Sequence, residues 1–225
     1  MMKNPFTMTQ AATLFGVGLL AATMTAAQAQ DAKAGDAKAG EKKAAMCIGC
    51  HGIPGYQSSF PEVYKVPMIS GQNAAYIVAA LNEYAKGGRK FPTMHGVAAT
   101  LTDQDKADLA AFYSTSGGKT EVPEQISPSG TAAELLKKGN CQSCHGANLS
   151  KPIDPSYPKL AGQHADYLYY ALKAYQTKNN PQVGRSNPVM GGMAAPFTHV
   201  ELKTLAEYIG SLPSELKTVE QPKFR

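Results

Sequence analysis

The chain has 225 residues, 43% of them hydrophobic, no tryptophan, and 22 basic against 17 acidic side chains. That length accommodates one large or two small domains. The excess of positive charge is mild and spread over both halves, with no basic block interleaved with aromatics, so composition excludes a nucleic-acid footprint.

Residues 1–29 read as a secretory signal peptide. Lys3 gives the basic start, LFGVGLLAA (14–22) the apolar centre, and AQA (27–29) the small-residue cleavage site. The apolar run is short of the roughly 20 residues a spanning helix needs. The mature chain is therefore expected to be exported to the periplasm without a transmembrane anchor, which leaves room for peripheral membrane association. DAKAGDAKAG (31–40) is a five-residue duplication, and 30–40 is expected to be a mobile low-complexity leader that merges into the first helix.

The first domain is expected over 41–116. It opens on CIGCH, Cys47 to His51, and CQSCH recurs at Cys141 to His145. All four cysteines of the chain lie in these two frames. On a helix, positions i, i+3 and i+4 share a face, so each pair of thiols points the same way as its histidine. This frame reads as covalent haem attachment, with Cys47, Cys50, Cys141 and Cys144 as thioether positions and His51 and His145 as iron ligands. Two disulfides would leave both histidines without a role. A shared zinc site fails because each pair, 94 residues from the other, has its own histidine.

Further on, VPMISGQNAAYIVAALNEY (66–84) matches YPKLAGQHADYLYYALKAY (157–175), which predicts an amphipathic helix in each copy. Then GRKFPTMHGVAATLT (88–102) aligns without gaps to GRSNPVMGGMAAPFT (184–198), placing Met94 opposite Met190 and Met193 opposite Val97. A thioether sulfur suits the second axial position of an electron carrier, because a soft neutral donor favours the ferrous state. Met94 and Met190 are the expected ligands, with Met193 a minor alternative. His95, His164 and His199 do not recur between copies, Met46 precedes its own cysteine, and Met68 aligns with Lys159. Arg89 and Arg185 recur five residues before each methionine and could pair bidentately with haem propionates; a solvent-exposed arginine explains them equally well. Pro92 and Pro188 should stiffen the methionine loops, and Pro67 or Pro158 could offer a carbonyl to the ligand histidine.

Thr102 with Asp105, Thr198 with Glu201, and Thr131 with Glu134 are capping-box patterns that predict helix starts. A linker is expected over 117–130 and a second domain over 131–225. The fold class is all-α: two tandem copies of a small helical domain, each folded around one haem.

With these residues in view, the chain resembles the dihaem class I cytochromes c, closest to the cytochrome c4 family. The resemblance rests on AMCIGCHG, CQSCHG, both GQ segments, the Met94 and Met190 loops and the closing helices. It implies two cytochrome c domains related by a pseudo-two-fold axis, two covalent c-type haems, and a periplasmic carrier exchanging electrons with redox proteins such as a membrane quinol-oxidising complex and a terminal oxidase or reductase. An electron-accepting subunit of a larger dehydrogenase, such as a flavocytochrome, is the alternative. A dihaem peroxidase or a sulfur-compound oxidase is disfavoured, because such sites need an open iron or an unusual ligand. GIPGYQSSFPEVYKVP (52–67) is longer than its second-half counterpart, a departure from the family pattern.

Overall fold

The computed structural model describes residues 34–220. The predicted signal peptide lies outside the described residues, and no helix within them is long and apolar enough to cross a membrane.

The first half runs α1 (Ala37–Lys43), α2 (Ala45–His51), β1 (Gln57–Ser58), β2 (Tyr64–Lys65), α3 (Ala74–Ala85), β3 (Arg89–Lys90), α4 (Pro92–Ala98) and α5 (Asp103–Thr115). The second runs α6 (Gly130–Lys138), α7 (Gln142–His145), α8 (Ala165–Gln176), β4 (Gly184–Arg185), α9 (Pro188–Ala194) and α10 (His199–Gly210). The order repeats, apart from the β1–β2 hairpin.

Two of the three predicted capping boxes form. Thr102 accepts from Asp105 N and Thr198 from Glu201 N, with both acidic side chains reaching back to the cap. The third does not. α6 begins before Thr131, with Ser129 as its N-cap and no side-chain capping bond. The end of the repetitive 31–40 stretch is already helical, as α1 begins at Ala37. Asp36 caps α1 by accepting from Lys38 N and Ala39 N, and Gly40 is buried. An added Cβ at Gly40 would meet the Asp108 carbonyl, so α1 lies directly on the α5 backbone. Low complexity here reflects small residues needed at a close helix crossing, not mobility.

Each half has its own apolar core. Ala44, Ile77, Leu109, Ala110 and Tyr113 form the first, and a larger aliphatic cluster including Leu135, Leu136, Leu149, Leu202, Leu205 and Ile209 forms the second. A third cluster joins the halves: Tyr64, on the hairpin of the first, stacks on Tyr170 of α8 with ring centroids 4.2 Å apart. Beside it Lys65 N–H donates to Asp166, and Glu62 pairs with Lys173. β3 and β4 also pair antiparallel, setting Arg89 opposite Arg185.

Candidate haem-binding sites

α2 carries Cys47, Cys50 and His51 on one helical stretch. In the second half the chain breaks at Asn140, which adopts a left-handed φ of 46°, so Cys141 becomes the N-cap of the short α7 that carries Cys144 and His145. All four cysteines are free and partly buried. Burial pushes the Cys47 and Cys141 thiols up, which keeps them protonated before attachment.

His51 Nδ1 lies 2.8 Å from the Pro67 carbonyl oxygen, and His145 Nδ1 lies 3.0 Å from that of Pro158. A carbonyl can only accept, so Nδ1 carries the proton and the Nε2 lone pair is left for a metal. Burial pushes both imidazoles down and favours this neutral form. The expected proline carbonyls are therefore in place in both halves.

Met94 and Met190 sit not in loops but on the short helices α4 and α9, both partly buried. Pro92 and Pro188 occupy the first helical positions, where a missing N–H costs nothing and a fixed φ favours the helix. Asn187 caps α9 by accepting from Met190 N at 3.0 Å. Gln176 of α8 donates to the carbonyls of Ala194 and Phe197, fixing the far end of the same segment. Met193 is 46% exposed and Met46 is 66% exposed. The non-recurring histidines have other occupations. His95 Nδ1 contacts the Tyr84 carbonyl, His164 is the N-cap residue of α8, and His199 packs edge-on to Tyr169.

Arg89 and Arg185 are brought together, which sequence reading did not foresee. Arg89 donates to the Tyr76 hydroxyl at 3.2 Å and its guanidinium lies over the rings of Tyr76 and Tyr84. Arg185 donates to the Tyr167 hydroxyl at 3.1 Å and lies over Tyr167 and Tyr175. Burial is the main cause lifting Tyr84 to about 12, so this phenol stays neutral beside the cations. Neither arginine forms a salt bridge among the described residues. Two guanidiniums set over tyrosine rings, with no carboxylate paired to either, make a place for anionic groups. The recurring tyrosines were visible in the repeat, but helical spacing alone reads as core.

The first half also holds a buried phenol, Tyr113, whose hydroxyl finds no partner other than the Cys47 thiol beside it. Its second-half counterpart is Ile209: Gly71 N–H donates to the Tyr113 carbonyl, as Gly162 N–H does to that of Ile209. Paired thiols, an imidazole with a committed Nδ1 and two cations without carboxylates all fit a covalently tethered porphyrin with acidic side arms. Such a group supplies one-electron ferric/ferrous chemistry.

The comparisons with known proteins agree. Residues 131–213 match the family described as Cytochrome c. Cytochrome c4 of Azotobacter vinelandii is 31% identical over 186 residues, covering 75% of this chain and 85% of that protein. The thiosulfate dehydrogenase electron acceptor of Stutzerimonas stutzeri (strain A1501) is 30% identical over 216 residues, covering 88% of this chain and 94% of that protein. Among solved structures, reduced recombinant cytochrome c4 from Pseudomonas stutzeri superimposes with a TM-score of 0.59 at 28% identity, covering 80% of this chain and all of that one.

Helical halves of this kind, each with a CxxCH turn, define a dihaem c-type cytochrome built of two tandem cytochrome c domains. The chain belongs to the cytochrome c4 family. It carries two covalent c-type haems and transfers electrons.

Proposed function

We propose that the protein is a periplasmic one-electron shuttle in which His51 and Met94 ligate one iron and His145 and Met190 the other. Cys47 and Cys50, and Cys141 and Cys144, provide the thioether links. Arg89 and Arg185 face the haem propionates. The domains divide near 117–130, with the first extended back to α1. The observation that carries the ligand reading is the pair of Nδ1-to-proline contacts, which leave Nε2 of each motif histidine free to bind iron.

The sulfur and imidazole donors sit on short helices braced by neighbouring segments, so they need not move when the oxidation state changes. Little reorganisation suits a shuttle. Export rests on the signal sequence. The partners are redox proteins, for which a quinol-oxidising complex as donor and a terminal oxidase or reductase as acceptor fit the chemistry.

The ligand set is tested on the oxidised protein, which should show the sulfur-to-iron charge-transfer band at two-haem intensity. Its absence, or carbon monoxide binding to the native reduced protein, would overturn the ligand set. A second reading is favoured by the thiosulfate dehydrogenase electron acceptor, whose match spans more of this chain than that of cytochrome c4. In that reading the donor is a dehydrogenase subunit. Stopped-flow mixing with a thiosulfate dehydrogenase catalytic subunit separates the two: rapid reduction by thiosulfate supports the subunit role, and no reduction leaves the free carrier.

A further inference from the structure

Gln72 and Gln163 occupy equivalent positions in the repeat, and both are 4% exposed. Each reaches out of its own half. Gln163 Nε2 donates to the Met68 carbonyl at 2.9 Å, and its Oε1 accepts from Met68 N–H at 3.0 Å. Gln72 does the same to Lys159, donating to its carbonyl at 3.0 Å and accepting from its N–H at 2.9 Å. The exchange is reciprocal, as an isologous two-fold contact requires.

The residues clamped matter more than the clamping. Met68 follows Pro67, and Lys159 follows Pro158. One peptide group therefore joins each pair of contacts. The Pro67 carbonyl accepts from His51 while the Met68 N–H of the same peptide donates to Gln163. Likewise the Pro158 carbonyl accepts from His145 while the Lys159 N–H donates to Gln72. Hydrogen bonds in series polarise one another. An acceptor on the N–H side makes the carbonyl a better acceptor on the histidine side, and a stronger bond at Nδ1 makes the imidazole a more basic ligand.

We propose that Gln163 is a positioning and tuning residue for the haem of the first half, and Gln72 for that of the second, each acting across the domain interface through the peptide that holds the other's axial histidine. The inference rests on the histidine ligation proposed above. A more basic imidazole stabilises ferric iron, so each glutamine lowers the reduction potential of the opposite haem. Domain docking thereby sets the potentials as well as the distance between haems.

The test is a spectroelectrochemical titration of the holoprotein in the Met190→His background, where the second haem's wave is displaced to lower potential. Adding Gln163→Leu should raise the potential of the first haem by a severalfold change in its ferric/ferrous ratio, where tenfold corresponds to about 59 mV. The second haem should stay in place. The His51 Nδ1 proton resonance should move in parallel, a readout that simple loosening of the fold would not shift selectively. Gln163→Glu, which keeps an oxygen opposite Met68 N–H, should return the first potential to or below the parent's. In the mirrored set, Gln72→Leu should move only the second haem, read in the Met94→His background. A shift confined to the mutated half, equal shifts in both haems, or no shift with the charge-transfer band intact would overturn the proposal. A parent protein whose band falls short of two-haem intensity fails the ligand reading instead, so the two failures are distinguishable.

Discussion

The two halves solve one problem with different materials. In the first, Gly40 of α1 and Gly35 just ahead of its N-cap lack side chains, which lets this stretch of backbone rest on the Asp108 and Ala107 carbonyls of α5. At the corresponding distances before the second CxxCH stand Ser129 and Glu134, and α6 instead contributes Leu135 and Leu136 to an aliphatic cluster with Leu202 and Leu205. Beside its apolar core the first half adds close backbone contact and ion pairs of Lys43 with Asp105 and Asp108; the second adds more side-chain volume and the Lys138–Glu201 pair. Around the haem positions the difference narrows to single groups, such as Tyr113 against Ile209. A shared scaffold with unlike cores lets one chain hold two haems in unlike surroundings.

Axial substitution should separate the halves most widely. Met190→His is expected to lower one potential by an amount on the order of hundreds of millivolts, inside the ~0.8 V span that axial ligands cover. Half of the charge-transfer band should vanish, and the other haem should hold its potential in the same titration. Loss of the whole band would show that the halves are not independent sites.

Stability should divide along the same line. Leu202 is fully buried in the second core, and Leu202→Ala should cost about 2–5 kcal/mol by leaving a cavity. Gly40→Ala should cost about 1–3 kcal/mol through overpacking against the Asp108 carbonyl. Denaturant titrations followed by circular dichroism check both. A harmless Gly40→Ala would mean that α1 does not bear on α5 in solution.

Acid should loosen the first half before the second. The Lys43 ammonium is the leading cause holding Asp105 at about 2, and the Asp36 N–H leads in holding Asp108 at about 2. A carboxyl depressed in the folded state contributes stability that is complete above its unfolded value near 4 and disappears as pH falls towards 2. Glu201, also at about 2 through Lys138, performs the comparable service in the second half, but its side chain is 28% exposed against 4% for Asp108. Hydrogen exchange between pH 4 and 2 should therefore quicken in α1 and α5 ahead of α6 and α10, and Asp108→Asn should flatten that dependence.

The smallest effects concern single polar and apolar groups. Removing the hydroxyl with Tyr113→Phe should lower only the first haem's potential, since a donor beside Cys47 favours the electron-rich ferrous state; the change should stay below about 59 mV, one tenfold step in the ferric/ferrous ratio. Met193→Leu should leave both potentials where they are, because that side chain is 46% exposed. Loss of one haem's charge-transfer band in Met193→Leu would transfer the ligand role from Met190.

Much of this was legible because it is local or covalent. Two CxxCH frames, two recurring methionines and the boxes at Thr102 and Thr198 need only a few neighbouring residues, whose spacing on a helix is fixed. The Thr131 box failed because Gly130 and Ser129 begin the helix earlier, with no side-chain bond needed. The methionine segments looked like loops because glycine and proline dominate them, yet proline at a first helical position starts a turn instead of breaking it.

The sequence alone determined the cofactor chemistry, the duplication and the helical class, since covalent attachment and helical periodicity are short-range properties of the chain. Only the tertiary structure decided that Arg89 faces Arg185, that the Tyr64 hairpin grips α8, and that Gln72 and Gln163 each support the other half's histidine. These contacts join residues roughly 90 to 110 positions apart. Their formation depends on how two packed surfaces dock, a long-range balance that no local pattern encodes.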